Sequence, residues 1–113
     1  MEITLPRGDI KNIKFSVNRK DGSKETDFDE IYFTVKKDFN QNEYLIQKRL
    51  SQSDITLGAD NYYHFTLRSN DTDSLRYGNY VFDIELIKGD IIKQTSVGML
   101  NITSEVTFSN NEG

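Results

Sequence analysis

The stretch from Asp71 to Leu86, Asp-Thr-Asp-Ser-Leu-Arg-Tyr-Gly-Asn-Tyr-Val-Phe-Asp-Ile-Glu-Leu, constrains the fold of this chain more than any other. Asn70, Asp71 and Thr72 offer side-chain oxygens to the free amides of a short helical turn, predicted near residues 71–77. Gly78 can end that turn, because glycine enters the left-handed region without a Cβ clash. Tyr80, Phe82, Ile84 and Leu86 then alternate with Val81, Asp83, Glu85 and Ile87. That is the two-residue period of a strand with one unbroken apolar face.

A capped turn, a glycine and then Gly-x-Tyr-x-Phe leading into a strand is how strand F of an immunoglobulin-like sandwich begins. In that fold the tyrosine sits two residues before a buried cysteine and ties the corner to the core. Tyr80 takes the tyrosine's place and Phe82 the cysteine's. Asp71, Thr72, Gly78, Tyr80 and Phe82 are therefore read as a structural corner. The stretch speaks to fold and carries no chemistry of its own.

The rest of the chain agrees with an all-β protein. Ile3 and Leu5 predict a first strand stopped by Pro6. Residues 10–18 alternate as a half-buried strand. Asp21-Gly22 makes a turn. Ile31, Phe33 and Val35 mark a third strand, and Tyr44 to Arg49 a fourth, placed at a sheet edge where lysines discourage wrong pairing. Ser51 to Asp60 reads either as a short strand or as a loop pinned by Ile55 and Leu57. Tyr63, Phe65 and Leu67 mark the next strand. Lys88-Gly89-Asp90 closes a hairpin into a long last strand, Ile91 to Thr103. Its pattern slips phase near Gly98, which predicts a bulge there. About seven short strands with regular turn signals give an immunoglobulin-like antiparallel β-sandwich, with a five-stranded barrel as the competing architecture. Residues 1–104 form the predicted domain, and 105–113 a polar tail or the start of a linker.

The chain has 113 residues, enough for one such sandwich of about 100. Cysteine is absent, so the inter-sheet disulfide of antibody domains is absent too, as are thiol catalysis and zinc–thiolate sites. Fourteen basic and 18 acidic residues leave a net charge of −4, which argues against a nucleic-acid partner. No segment has the length and apolarity of a membrane span, and Met1 to Pro6 shows no secretion signal.

No catalytic constellation is visible. His64 is the only histidine and falls on the polar face of a strand, where it reads as a surface residue. Asp27, Asp29 and Glu30, or Asp71 and Asp73, could gather calcium, but no twelve-residue calcium loop is present. Helix capping accounts for the second pair. No cofactor and no metal are expected. Arg7-Gly8-Asp9 is an integrin-type tripeptide that a turn explains equally well. Exposed aromatics give the better hint of a binding surface: Tyr32, Tyr62 and Tyr77 fall on outward or turn positions and suit sugar stacking or protein contact. Val97 and Met99 fall out of phase with the inward set and are candidates for an exposed apolar patch. The last strand is roughly twice the usual length, so part of it is expected to project and pair with another chain.

A family resemblance joins these residues. Arg7-Gly8-Asp9 before a strand, Asp71-Thr72-x-x-Leu75-x-x-Gly78-x-Tyr80-x-Phe82-Asp83-Ile84, and Gly98-x-Leu100-x-Ile102 followed by Glu105-Val106-Thr107 span nearly the whole chain. In this the chain resembles the immunoglobulin-like domain at the N-terminus of baseplate upper proteins and related tail or virion proteins of phages infecting Gram-positive bacteria. The resemblance implies a structural module without catalytic residues. It would be made in the host cytoplasm and located in the virion, with other tail proteins as partners and homo-oligomeric assembly. Larger members continue into a helical stalk, so the chain is expected to be either a small virion protein or a piece of a longer one. The alternative reading is a carbohydrate-binding module that holds a glycan on the exposed tyrosines.

Overall fold

The computed structural model describes residues 1–104, with the side chains of Gln94 and Thr95 left aside. The tail or linker expected over 105–113 lies outside the described residues. Ten strands and one helical turn follow in order: β1 (Glu2–Pro6), β2 (Lys11–Phe15), β3 (Val17–Asn18), β4 (Lys24–Glu25), β5 (Glu30–Lys36), β6 (Ile46–Arg49), β7 (Thr56–Leu57), β8 (Tyr63–Leu67), α1 (Ser69–Thr72), β9 (Gly78–Lys88) and β10 (Ile91–Thr103). Five of them form one sheet in the order β1-β10-β9-β5-β6, and three form a second, β2-β8-β7. The short β3–β4 hairpin stands apart. The larger sheet has two distinct edges, β1 and β6, so the molecule is an open sandwich and not a closed barrel.

Alternation builds the core. Ile31, Phe33 and Val35 from β5, and Tyr80, Phe82, Ile84 and Leu86 from β9, all point inward and are buried. Tyr63, Phe65 and Leu67 from β8 face them across the sandwich. Phe33 is the hub. Its ring centroid lies 4.5 Å from Phe65 on the opposite sheet and 5.2 Å from Phe82 on the neighbouring strand. Phe82 occupies the position matched to a cysteine, and aromatic contact takes over the inter-sheet tie that a disulfide would make.

Several expectations are corrected. The predicted strand 10–18 breaks at Ser16 into β2 and β3, and β3 turns through Asp21-Gly22 to pair with β4. The helical turn lies earlier than predicted, at Ser69–Thr72. Asp71 is accordingly not the cap residue; it sits three residues in, and its carboxylate reaches back to accept the Arg68 amide at 2.7 Å. The same oxygen accepts Lys48 Nζ at 2.8 Å. Lys48 is thus turned inward to tie the β6 edge to the helical turn, and does not guard that edge from solvent. The register irregularity in β10 falls between Gln94 and Ser96, not at Gly98.

Gly98 has a different purpose. It faces Phe82 across the strand pair. A Cβ there would lie 2.7 Å from the Phe82 ring and closer still to the Met1 carbonyl oxygen. The phenyl ring and the bare backbone are a matched pair. In the region 51–60, Ile55 is buried and pins the loop, whereas Leu57 is exposed in the two-residue β7.

The corner is anchored from both sides. Tyr80 is 4% exposed, and its hydroxyl donates to the Arg76 carbonyl at 2.7 Å. Thr72 is fully buried, and its Oγ1 accepts the Gly8 amide at 2.9 Å. Arg7 lies over the Tyr77 ring at 4.4 Å and donates to the Leu75 carbonyl at 3.4 Å. Arg7-Gly8-Asp9 is therefore a turn that packs on the corner, with its arginine committed there. Removing the Tyr80 hydroxyl strands a carbonyl at the corner, which costs about 1–2 kcal/mol. Tyr80→Phe is expected to lower the unfolding free energy by that amount, seen as a lower denaturant midpoint with an unchanged m-value; equal stability of the two proteins would show that the bond adds nothing.

Candidate functional site

The residues singled out from the sequence do not form one site. Tyr32 projects from the outer face of β5, where Arg49 covers one side of its ring at 4.8 Å and donates to its hydroxyl at 3.2 Å. Tyr62 precedes β8 on the other sheet, with Lys14 and Lys24 ammonium groups 4.6 and 5.2 Å from its ring centre. The two tyrosines thus belong to opposite outer surfaces, so Tyr32 and Tyr62 do not share one platform.

Val97 and Met99 do lie together, on the outer face of β10, and are 45% and 38% exposed. Met99 faces Val81 across the β9 pairing and Glu2 across the β1 pairing. The last strand is paired along its inner side: β9 follows it from Ile91 to Ile102. On its other side β1 runs parallel to it, and covers only Met99 to Thr103. No strand among the described residues pairs with that side of β10 from Ile91 to Gly98. The same half carries Ile91 and Ile92, each about two-thirds exposed. The long strand therefore projects past β1 but not past β9. It keeps β9 throughout and leaves half of its opposite edge open.

A second feature was not legible in the sequence. The loop between β5 and β6 folds against the outer face of the larger sheet, and with it forms a trough of about 380 Å³. The floor is laid out by register. Glu85, Tyr32 and Arg49 form one cross-strand row, and Asp83, Thr34 and Gln47 the next. Asn42 and Tyr44 form the wall from the loop, and Tyr44 is 56% exposed. Gln47 Nε2 donates to Thr34 Oγ1 at 3.2 Å, which fixes the amide in the floor.

The carboxylates suggested for calcium go separate ways. Asp27 pairs with Lys88 at 3.0 Å, and that hydrogen bond lowers its pKa. Asp29 accepts the Gly89 amide at 2.6 Å. Glu30 accepts the amides of Ile31 and Ser51, each at 3.0 Å, and Arg49 at 3.2 Å. Among the described residues no group of three metal-ligating side chains converges. His64 Nε2 meets Asp60 at 3.0 Å on the surface, and the hydrogen bond to His64 lowers the Asp60 pKa. Among the described residues no hydroxyl is hydrogen-bonded to this His–Asp pair. No helix of the described residues is long and apolar enough to cross a membrane.

Glu30 gives the fold a measurable acid response. Burial at the sheet rim opposes its ionisation, but hydrogen bonds from Ser51, Ile31 and Arg49 outweigh this and hold its pKa at about 2, against an ordinary 4.5. A depressed folded pKa means stability that is complete above 4.5 and is lost as pH falls toward 2. With solvent screening at the rim, the contribution is about 1–2 kcal/mol. Glu30→Gln is expected to destabilise by that amount at neutral pH and to flatten the stability profile between those two pH values. Parallel profiles for both proteins would show that Glu30 does not carry the acid response.

No family model matches the sequence, and no curated protein does. Among solved structures, a marsupial T cell receptor is similar, with a TM-score of 0.53 at 14% identity, covering 93% of this chain and 50% of that one. The chain thus spans about half the length of that receptor chain, and at this identity the likeness concerns the fold alone. It agrees with the sheet order. β2, β8 and β7 face β10, β9 and β5, and β6 is added on the same sheet as in variable-type domains. The chain is an immunoglobulin-like β-sandwich.

Proposed function

We propose that this chain is a non-catalytic assembly module of a phage virion, in the tail or baseplate, that docks a second copy of itself or a neighbouring tail protein through β10. The open edge of β10 from Ile91 to Gly98 carries the reading. An unpaired edge presents a row of backbone donors and acceptors, and proteins normally blunt such edges with charge, proline or a bulge. Here the edge has Lys93 and an irregularity near Thr95, yet it keeps exposed Ile91, Ile92 and Val97 beside it. Strand addition would use the backbone row for affinity and the apolar side chains for selectivity. The family resemblance supplies the phage setting, and the virion as location follows from it.

Met99 and Val97 sit beside this edge on the outer face and outside the core, so charge can be placed there without opening the sandwich. Met99→Lys and Val97→Asp are each expected to leave the melting transition nearly unchanged. Each should weaken self-association in sedimentation or light scattering, or co-purification with baseplate proteins of the encoding phage, because an unpaired charge at a contact is costly. A wild-type protein that stays monomeric and captures no tail protein would end the proposal. So would variants that unfold, because Met99 and Val97 would then belong to the core.

A further inference from the structure

The trough on the outer face of the larger sheet lies apart from the open β10 edge and rests on different residues. We propose that it is a saccharide-binding site for a neutral, hydroxyl-rich glycan.

Three observations carry this. The first is size: about 380 Å³ lies at the small end of ligand pockets, which run from ~300 to ~1,000 Å³. That suits one or two sugar rings better than a folded partner's surface. The second is the pairing of ring surface with hydrogen-bonding groups. Tyr44 is exposed on the loop wall, and Tyr32 stands in the floor, held in one orientation by Arg49 on its other side. A ring already held loses little freedom when a pyranose packs its C–H face against it. The third is polar capacity. Glu85 lies directly across from Tyr32 and has no hydrogen-bond or ion-pair partner among the described residues. Gln47 uses one N–H on Thr34 and keeps its carbonyl oxygen and second N–H for a ligand. A carboxylate accepts and an amide both accepts and donates, which is what neighbouring sugar hydroxyls require.

The charge balance selects among ligands. Asp83 and Glu85 stand against Lys36 in the lining, so the trough carries both signs. A phosphate-rich polymer would meet two carboxylates, and a strongly basic peptide would meet the lysine. A neutral glycan meets neither penalty. The recognising set is Tyr32, Tyr44, Gln47 and Glu85. Of the tyrosines singled out in the sequence, Tyr32 lines the trough and Tyr62 lies on the other sheet.

The test is titration of isotope-labelled protein, followed by amide and ring-proton shifts. The probes are oligomers of glucose, galactose and N-acetylglucosamine, with a lysine-rich and an arginine-rich peptide alongside. Saturable shifts confined to β5, β6, β9 and the 37–45 loop are expected with at least one oligosaccharide. Tyr44→Ala and Glu85→Gln should each weaken that binding about tenfold, and Tyr62→Ala should leave it unchanged. Both changed side chains are solvent-facing, and an unshifted melting curve would verify that the fold is intact. Absence of saturable shifts with every oligosaccharide overturns the proposal. Binding that survives Tyr44→Ala, or shifts caused only by the basic peptides, overturns it equally. Met99→Lys separates the two sites: it should weaken assembly and leave glycan shifts in place.

Discussion

The two sheets are held together by aromatic contact centred on Phe33. Immunoglobulin domains of the antibody type use a disulfide at this point, with a tryptophan packed on it. Here three phenylalanines, Phe33, Phe65 and Phe82, span the gap between sheets. The substitution of a covalent tie by rings changes what the fold tolerates. Truncating one ring in such a cluster typically costs about 3–5 kcal/mol, a large part of the ~5–15 kcal/mol that holds a domain together. The ring at 82 also takes more room than a sulfur. That room comes from Gly98, whose missing side chain lets the strands close over Phe82. Core composition and last-strand sequence are therefore not independent.

The corner performs a second joining task. Chain segments far apart in sequence meet there: the turn after β1, the helical turn after β8, and the start of β9. Each is tied by a polar group that would be costly to bury alone. Thr72 meets the Gly8 amide, Tyr80 meets the Arg76 carbonyl, and Asp71 meets both the Arg68 amide and Lys48. These bonds set how β9 enters the sheet, and so which of its side chains face outward into the trough.

Much of this was legible from local pattern. The alternation in β5, β8 and β9 identifies their inward faces residue by residue, because a two-residue period has only two phases. Tyr80 and Gly78 reveal the corner because few other local structures need that order of residues. What was not legible depends on long-range register. The β3–β4 hairpin is only two residues deep on each side and leaves no periodicity to detect. Glycine commonly marks a bulge, which points to Gly98 from the sequence alone, whereas Gly98 answers to the ring beneath it and the irregularity lies between Gln94 and Ser96. The helical turn was misplaced because Asp71 resembles a cap residue, and its role as an acceptor for Lys48 depends on a strand twenty-odd residues away. Tyr44 was assigned to a strand, but it belongs to the loop that walls the trough. Only the fold of that loop puts it beside Tyr32 and Glu85.

The parallel pairing of β1 with β10 has a consequence for how the molecule comes into being. Glu2 to Pro6 align with Met99 to Thr103, so β1 must wait for β10 to be made. At about 5–20 residues per second, several seconds pass on the ribosome between their appearances. β5 and β9 are both made before Met99 to Thr103, while the β1 residues have no strand to join. Ile3 and Leu5 are core residues, so these two apolar side chains lack their partner strand until Met99 to Thr103 have been made. The β1 edge of the larger sheet therefore closes only after β10 is made, and anything that stalls translation before Met99 leaves that edge unmade.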